Sequence, residues 1–201
     1  MISSETLQRH YVTEGKSMHD ISIALGCSVH KVEYWMKRHN IKRRSRSQAT
    51  YIKANPDGDP FKKVITNTPE LAYLNGVGHG LYWGEGTKAN KHSVRLGNTD
   101  AHLLNVFIEF LEKIYCVKRD KLKVSIQLFN DIPAKEAEEY WSKALDIPLT
   151  QFTKSYTSKS VQKGNYRKKS QYGVATVYFH NKKLRDILVD AIPANGVKYM
   201  P

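Results

Sequence analysis

The chain has 201 residues, with 32 Lys and Arg against 19 Asp and Glu and a formal net charge of +13. Its length suits one medium domain, or a small module plus a domain of about 100–150 residues. With 40% hydrophobic and 10% aromatic residues it can build a core, which excludes a disordered basic tail.

The cation excess ranks the partners: nucleic acid first, anionic membrane second, acidic protein third. No apolar run approaches the ~20 residues that span a bilayer, and residues 1–20 contain no signal-peptide apolar region. Cys27 and Cys116 fall in segments that read as different modules. That excludes a disulfide framework or a four-Cys zinc site, and predicts a reducing, cytoplasmic setting in which a DNA-binding protein would associate with the nucleoid.

Residues 1–48 read as a module of three short helices. Ser3 or Ser4 caps the first, with Leu7, Tyr11 and Val12 apolar. Ser17 starts the second, with Asp20 as its capping-box partner and Ile21, Ala24 and Leu25 turned inward. Gly26 stops it, and Ser28 caps a third helix that buries Val29, Val32, Trp35 and Met36. This pattern resembles the helix-turn-helix domains of bacterial regulators and recombinases. The resemblance implies DNA contacts from Ser28, His30, Lys31, Tyr34 and Lys37, with Arg43, Arg44 and Arg46 in a basic arm behind them. The alternative is a three-helix bundle with a solvated face and a basic linker.

Residues 49–68 lose helical periodicity and contain Pro56, Gly58 and Pro60, the marks of a linker. In 69–201, helical periods fall at 69–85, 100–115, 134–146 and 182–192. Strand-like alternation falls at 91–97, 121–128, 150–156 and 172–179. The fold class is therefore α+β: an all-α module, then a domain with four strands. No internal repeat is present.

The first of these helices is the most informative stretch. Thr68, Pro69 and Glu70 open it. Gly76, Gly78, Gly80 and Gly84 then sit inside it, each costing about 1 kcal/mol relative to Ala. Gly76, Gly80 and Gly84 share a face on which a second helix can approach backbone to backbone. Gly86 is placed for a left-handed cap. Glu85 is left at the helix C-terminus, where the dipole disfavours negative charge and a cation would explain it. A nucleotide-binding glycine loop would have to follow a strand and open a helix, whereas this helix is already capped upstream.

Gly80-Leu81-Tyr82-Trp83-Gly84-Glu85-Gly86 resembles the signature of the LAGLIDADG homing endonucleases, departing from it at His79, Tyr82 and Trp83 and with Glu for the commoner Asp. The resemblance implies an αββαββα core with a four-stranded antiparallel sheet lying in the major groove. It implies a homodimer, since the chain has one motif copy, joined through Gly76, Gly80, Leu81 and Gly84. Glu85, with Gly84 beside it, would hold a divalent metal, Mg²⁺. A two-fold axis implies a palindromic or pseudo-palindromic duplex site. LAGLIDADG-type domains joined to helix-turn-helix domains also occur in transcription regulators that do not cut, and an RNA maturase is compatible with charge and fold.

The strands supply candidate readers. Lys121, Lys123, Ser125 and Gln127 alternate with Leu122, Val124, Ile126 and Leu128; Ser93 and Arg95 alternate with His92, Val94 and Leu96. A solvated antiparallel face would look the same. From Lys154 to Arg185 there is no Asp or Glu, while Lys159, Lys163, Arg167, Lys168 and Lys169 form a basic loop suited to phosphates. Lys88, Lys154 and Lys182 are candidate catalytic cations. His180-Asn181 lacks the second histidine of an HNH nuclease, and Glu136, Glu138, Glu139 and Asp146 read as the wet face of a helix.

Overall fold

The structure, a computed structural model, describes residues 1–128, 133–157 and 171–191. The chain divides into two compact units, Met1–Pro60 and Phe61–Pro201.

In the first unit the expected caps form. Ser3 accepts from the Thr6 amide and starts α1 (Ser4–Leu7), which runs directly into a π-helical turn, Gln8–Thr13. The extra residue in that wide turn shifts the helical phase, so Tyr11 is buried while Val12 is 60% exposed. Ser17 and Asp20 complete a capping box on α2 (Met18–Ala24), and Ser28 caps α3 (Val29–Arg38). Ile2, Leu7, Tyr11, Ile21, Val32, Met36 and Ile41 form the core. Ala24, expected inside, is exposed.

The stretch read as a basic arm and linker holds a fourth helix, α4 (Arg46–Ala54), with a capping box of Ser45 and Gln48. Gly15 makes room for it: a Cβ there would meet Ile52 Cγ2 at 3.1 Å, and its φ of +69° favours glycine anyway. Arg44, predicted to meet DNA, is committed inside the unit. It donates to the carbonyls of Gly15 and Tyr11 at 2.7 Å each and of Lys16 at 2.5 Å, with its guanidinium 4.0 Å from the Tyr11 ring centre. Loss of such charge-assisted bonds costs about 2–3 kcal/mol. Arg44→Met should therefore weaken native-state hydrogen-exchange protection in the Met1–Pro60 amides and leave the second unit's amides unchanged.

The second unit begins with Phe61 in its core and with Lys62 and Val64 donating backbone bonds to Tyr115 and Ile114. Its elements are α5 (Pro69–Glu85), β1 (Val94–Asn98), α6 (Ala101–Tyr115), β2 (Leu122–Leu128), α7 (Ala134–Leu145), β3 (Tyr156–Thr157), β4 (Val174–Phe179) and α8 (Lys182–Asp190). The sheet order is β1-β4-β2-β3. β4 is antiparallel to both β1 and β2, whereas β2 and β3 are parallel.

The sheet is mixed, not antiparallel throughout, and the element order is αβαβαββα, not αββαββα. Both follow from helices lying between strands. A crossover of a dozen or more residues permits parallel pairing, and α7 provides it between β2 and β3; α6 likewise keeps β1 and β2 from forming a hairpin. Of the strand expected at 150–156, only the end joins β3. Gln151 instead sits in a 3₁₀ turn, with its buried amide donating to the carbonyls of Arg119 and Leu122.

The core lies between one sheet face and the helices. Val94, Leu96, Val124, Ile126, Ala175 and Val177 meet Tyr82, Phe107, Phe110, Leu111, Trp141 and Leu188. On the opposite face Arg95, Lys123, Ser125 and Thr176 are half-buried, and Gln127 and Tyr156 are exposed.

Candidate functional site

Thr68 accepts from the Leu71 amide and Pro69 occupies the first turn, so α5 starts as its sequence demands. Its four interior glycines serve two different faces. Gly78 is buried against α6, and a Cβ there would lie 2.0 Å from Phe110 Cγ. Gly76, Gly80 and Gly84 are exposed and would have nothing within 4 Å of an added Cβ. Tyr73 and Trp83, 75% and 49% exposed, flank that bare stripe, so an apolar face of α5 is left uncovered by the described residues. Leu81, predicted for the dimer seam, packs instead against the unit's own core, because it lies about 100° round the helix from Gly80.

The contrast between the faces is testable. Gly78→Ala gains about 1 kcal/mol of helix propensity, but overpacking of a closed contact costs about 1–3 kcal/mol. A lower thermal midpoint is expected; a raised one would contradict the close approach of α5 and α6.

His79, a departure from the signature, is used inside the unit. Its ring packs edge-on to Phe110 and Tyr115, with Nε2 3.3 Å from the Tyr115 hydroxyl. Burial, and then Lys63, hold its pKa below the ordinary value, while burial pushes Tyr115 up to about 12.

Glu85 ends α5, exposed and with no hydrogen bond or ion pair to any described residue. Gly86 does not form the left-handed cap expected of it: its φ is −68° and its ψ 142°. Glycine is required there for closeness, because a Cβ would lie 2.4 Å from the Tyr82 carbonyl oxygen. Gly86 bridges Leu96 of β1, and the Thr87 amide donates to the Arg95 carbonyl. The terminal carboxylate is thereby seated at the β1 edge of the sheet.

Arg185 secures the loop that follows. Its guanidinium donates to the carbonyls of Lys88 (2.5 Å) and Asn90 (3.0 Å) and pairs with Asp186 at 2.9 Å. In the sequence Arg185 is one more cation of a basic block, and nothing local reveals this positioning role.

Two of the three candidate catalytic cations are engaged within the unit. Lys88 Nζ donates to the Trp83 carbonyl at 2.5 Å, and Lys182 pairs with Asp186. Lys154 is exposed. Lys159, Lys163, Arg167, Lys168 and Lys169 lie outside the described residues.

Among the predicted readers, the β2–β4 register brings Arg95 and Lys123 to either side of Tyr178 and places Ser125 opposite Thr176. Ser93, expected on the outer face, is instead buried and donates to Asn90 Oδ1 at 3.0 Å. The Asn90 turn runs up to β1, so the strand alternation starts only at Val94, and His92, expected inside, is exposed. Lys121 lies in the 3₁₀ turn before β2 and meets Asp120 at 3.8 Å.

In the first unit His30, Lys31, Tyr34 and Lys37 share the exposed face of α3, joined by Arg38. The Ser28 hydroxyl is occupied by the Lys31 amide, Arg43 pairs with Glu33 at 2.8 Å, and Arg46 is exposed in the first turn of α4.

A divalent cation fits the donors present only in part. Glu85 offers an unpaired carboxylate, and Gly84 a carbonyl from the last helical turn, where intrahelical partners run out; oxygen donors suit Mg²⁺. Among the described residues no group of three or more His, Cys, Asp or Glu could hold a metal. Among the same residues, no helix is long and apolar enough to cross a membrane. No family model, curated protein or solved structure matches the chain.

Proposed function

We propose that the protein is a homodimeric, sequence-specific double-stranded-DNA endonuclease whose motif helix is LAGLIDADG-like, with α2 and α3 acting as a helix-turn-helix that extends the footprint. The observation that supports this reading is the glycine face of α5, uncovered among the described residues and ending in a Glu85 carboxylate that pairs with none of them, at the edge of a sheet whose face away from the helices bears Arg95 and Lys123. Two copies packed through that face bring two Glu85 side chains together. Glu85 and Gly84 of each chain would hold Mg²⁺, which when bound supplies an activated water and neutralises the leaving oxygen.

The chain's own groups do the rest. Arg185 fixes the loop behind Glu85, while Arg95, Lys123, Ser125 and Gln127 face the duplex, where cations meet phosphates and the amide suits adenine. His30, Lys31, Tyr34 and Lys37 present a second basic face.

A second reading, a transcription regulator that binds without cutting, is favoured by one observation: Lys88 and Lys182 are both engaged within the chain. Selection from a random duplex library yields the preferred site, expected to be palindromic. A supercoiled plasmid carrying it should then be cut in Mg²⁺. Tight binding to that site without cleavage overturns the enzyme and supports the regulator, and preference for structured RNA overturns both.

A further inference from the structure

The sheet face away from the helices carries a cluster drawn from three adjacent strands. Pairing sets Arg95 of β1 and Lys123 of β2 on either side of Tyr178 of β4. The Arg95 guanidinium lies 5.3 Å from the Tyr178 ring centre and is steadied by its Nε donating to Ser93 Oγ at 2.7 Å. His180, two residues beyond Tyr178, packs edge-on to the same ring at 4.9 Å and is exposed. Among the described residues neither Arg95 nor Lys123 meets a carboxylate. The neighbouring cations differ: Lys121 of the turn before β2 meets Asp120, and Lys182 and Arg185 of α8 share Asp186. The cluster is therefore two uncompensated cations and an imidazole around an aromatic floor.

We infer that Arg95, Lys123 and His180 form a phosphate-binding site, filled by one phosphodiester group of a duplex, and that filling it transfers a proton from solvent to His180. The inference rests on the reading that this sheet face meets nucleic acid. In the free protein, burial first and then Arg95 and Lys123 hold the His180 pKa below its ordinary value, which favours the neutral ring. An oxyanion between the two cations reverses the local field and gives the protonated ring a charge-assisted partner. Because the pKa is lower free than bound, binding takes up a proton and strengthens as pH falls from 8 to 6. A rise of one unit makes the change up to about tenfold.

The test follows the His180 ring by NMR across pH, alone, with the selected duplex, and with inorganic phosphate. His180→Gln assigns the signal. With duplex, the His180 midpoint should rise by about one unit. His180→Gln should lose the gain in affinity between pH 8 and pH 6. A duplex that binds without moving the His180 midpoint overturns the site but leaves the DNA reading standing. If no duplex binds, the DNA reading fails. A midpoint moved by inorganic phosphate alone would then keep the site as one for free phosphate, and an unmoved one would overturn it.

Discussion

Glu85→Gln should abolish Mg²⁺-dependent cleavage of the selected duplex while leaving its affinity unchanged within about twofold, a change within the ±0.5 kcal/mol expected of surface substitutions. The carboxylate is exposed and has no partner among the described residues, so the neutral amide removes no contact that supports the fold. What it removes, on the proposed reading, is the charge that would hold the cation. Metal stabilisation of a phosphodiester transition state is worth several kcal/mol, and about 4 kcal/mol is a thousandfold in rate. Single-turnover cleavage should therefore fall by at least about a thousandfold. Arg95→Met should instead weaken binding by a similar factor for every duplex, reduce its salt dependence, and leave the rate at saturation unchanged. Cleavage by Glu85→Gln at the wild-type rate would remove Glu85 from the chemistry.

The second large effect concerns assembly. Gly80→Leu should dissociate the dimer, weakening self-association by about a hundredfold or more, which corresponds to about 3 kcal/mol. Among the described residues nothing opposes the new side chain, since none of their atoms lies within 4 Å of a Cβ at Gly80. Leucine also favours helix over glycine by about 1 kcal/mol, so the monomer should melt no lower than before. A lost dimer with an intact monomer separates this face from the Gly78 face, where the smaller change to alanine is expected to lower the melt. Sedimentation of Gly80→Leu that still shows a full dimer would place the interface elsewhere.

Much of the second unit is legible in the sequence, because its elements carry strong local signals. Thr68-Pro69 and Glu85 bound α5 as expected, and the alternation in β2 holds from Leu122 to Leu128. The sheet's pairing is less legible, since β4 inserts between β1 and β2 through contacts remote in sequence. The helices between strands could still have warned against a purely antiparallel sheet.

Side-chain roles diverge where a tertiary partner decides them. Arg44 reads as part of a basic arm, but three carbonyls of the 11–16 turn claim it. Ser93 continues an alternating pattern by eye, but a turn built on Asn90 draws it inward. Ser45 and Gln48 form the same type of cap as Ser17 and Asp20, yet the surrounding cations hide the helix they open. The glycines show both outcomes: their spacing predicts a bare face, while only the packed structure assigns Gly78 to Phe110.

The central claim is that two chains pack through the bare face of α5 with their Glu85 carboxylates adjacent. It is tested most directly by placing a single cysteine in that face, Gly80→Cys, with Cys27 and Cys116 replaced by serine. Helices in backbone contact bring such residues within the ~4.4–6.8 Å Cα separation a disulfide needs. Mild oxidation should convert the protein to a covalent dimer that still binds the selected duplex. A chain that stays monomeric on the denaturing gel, while sedimenting as a dimer beforehand, would contradict the account.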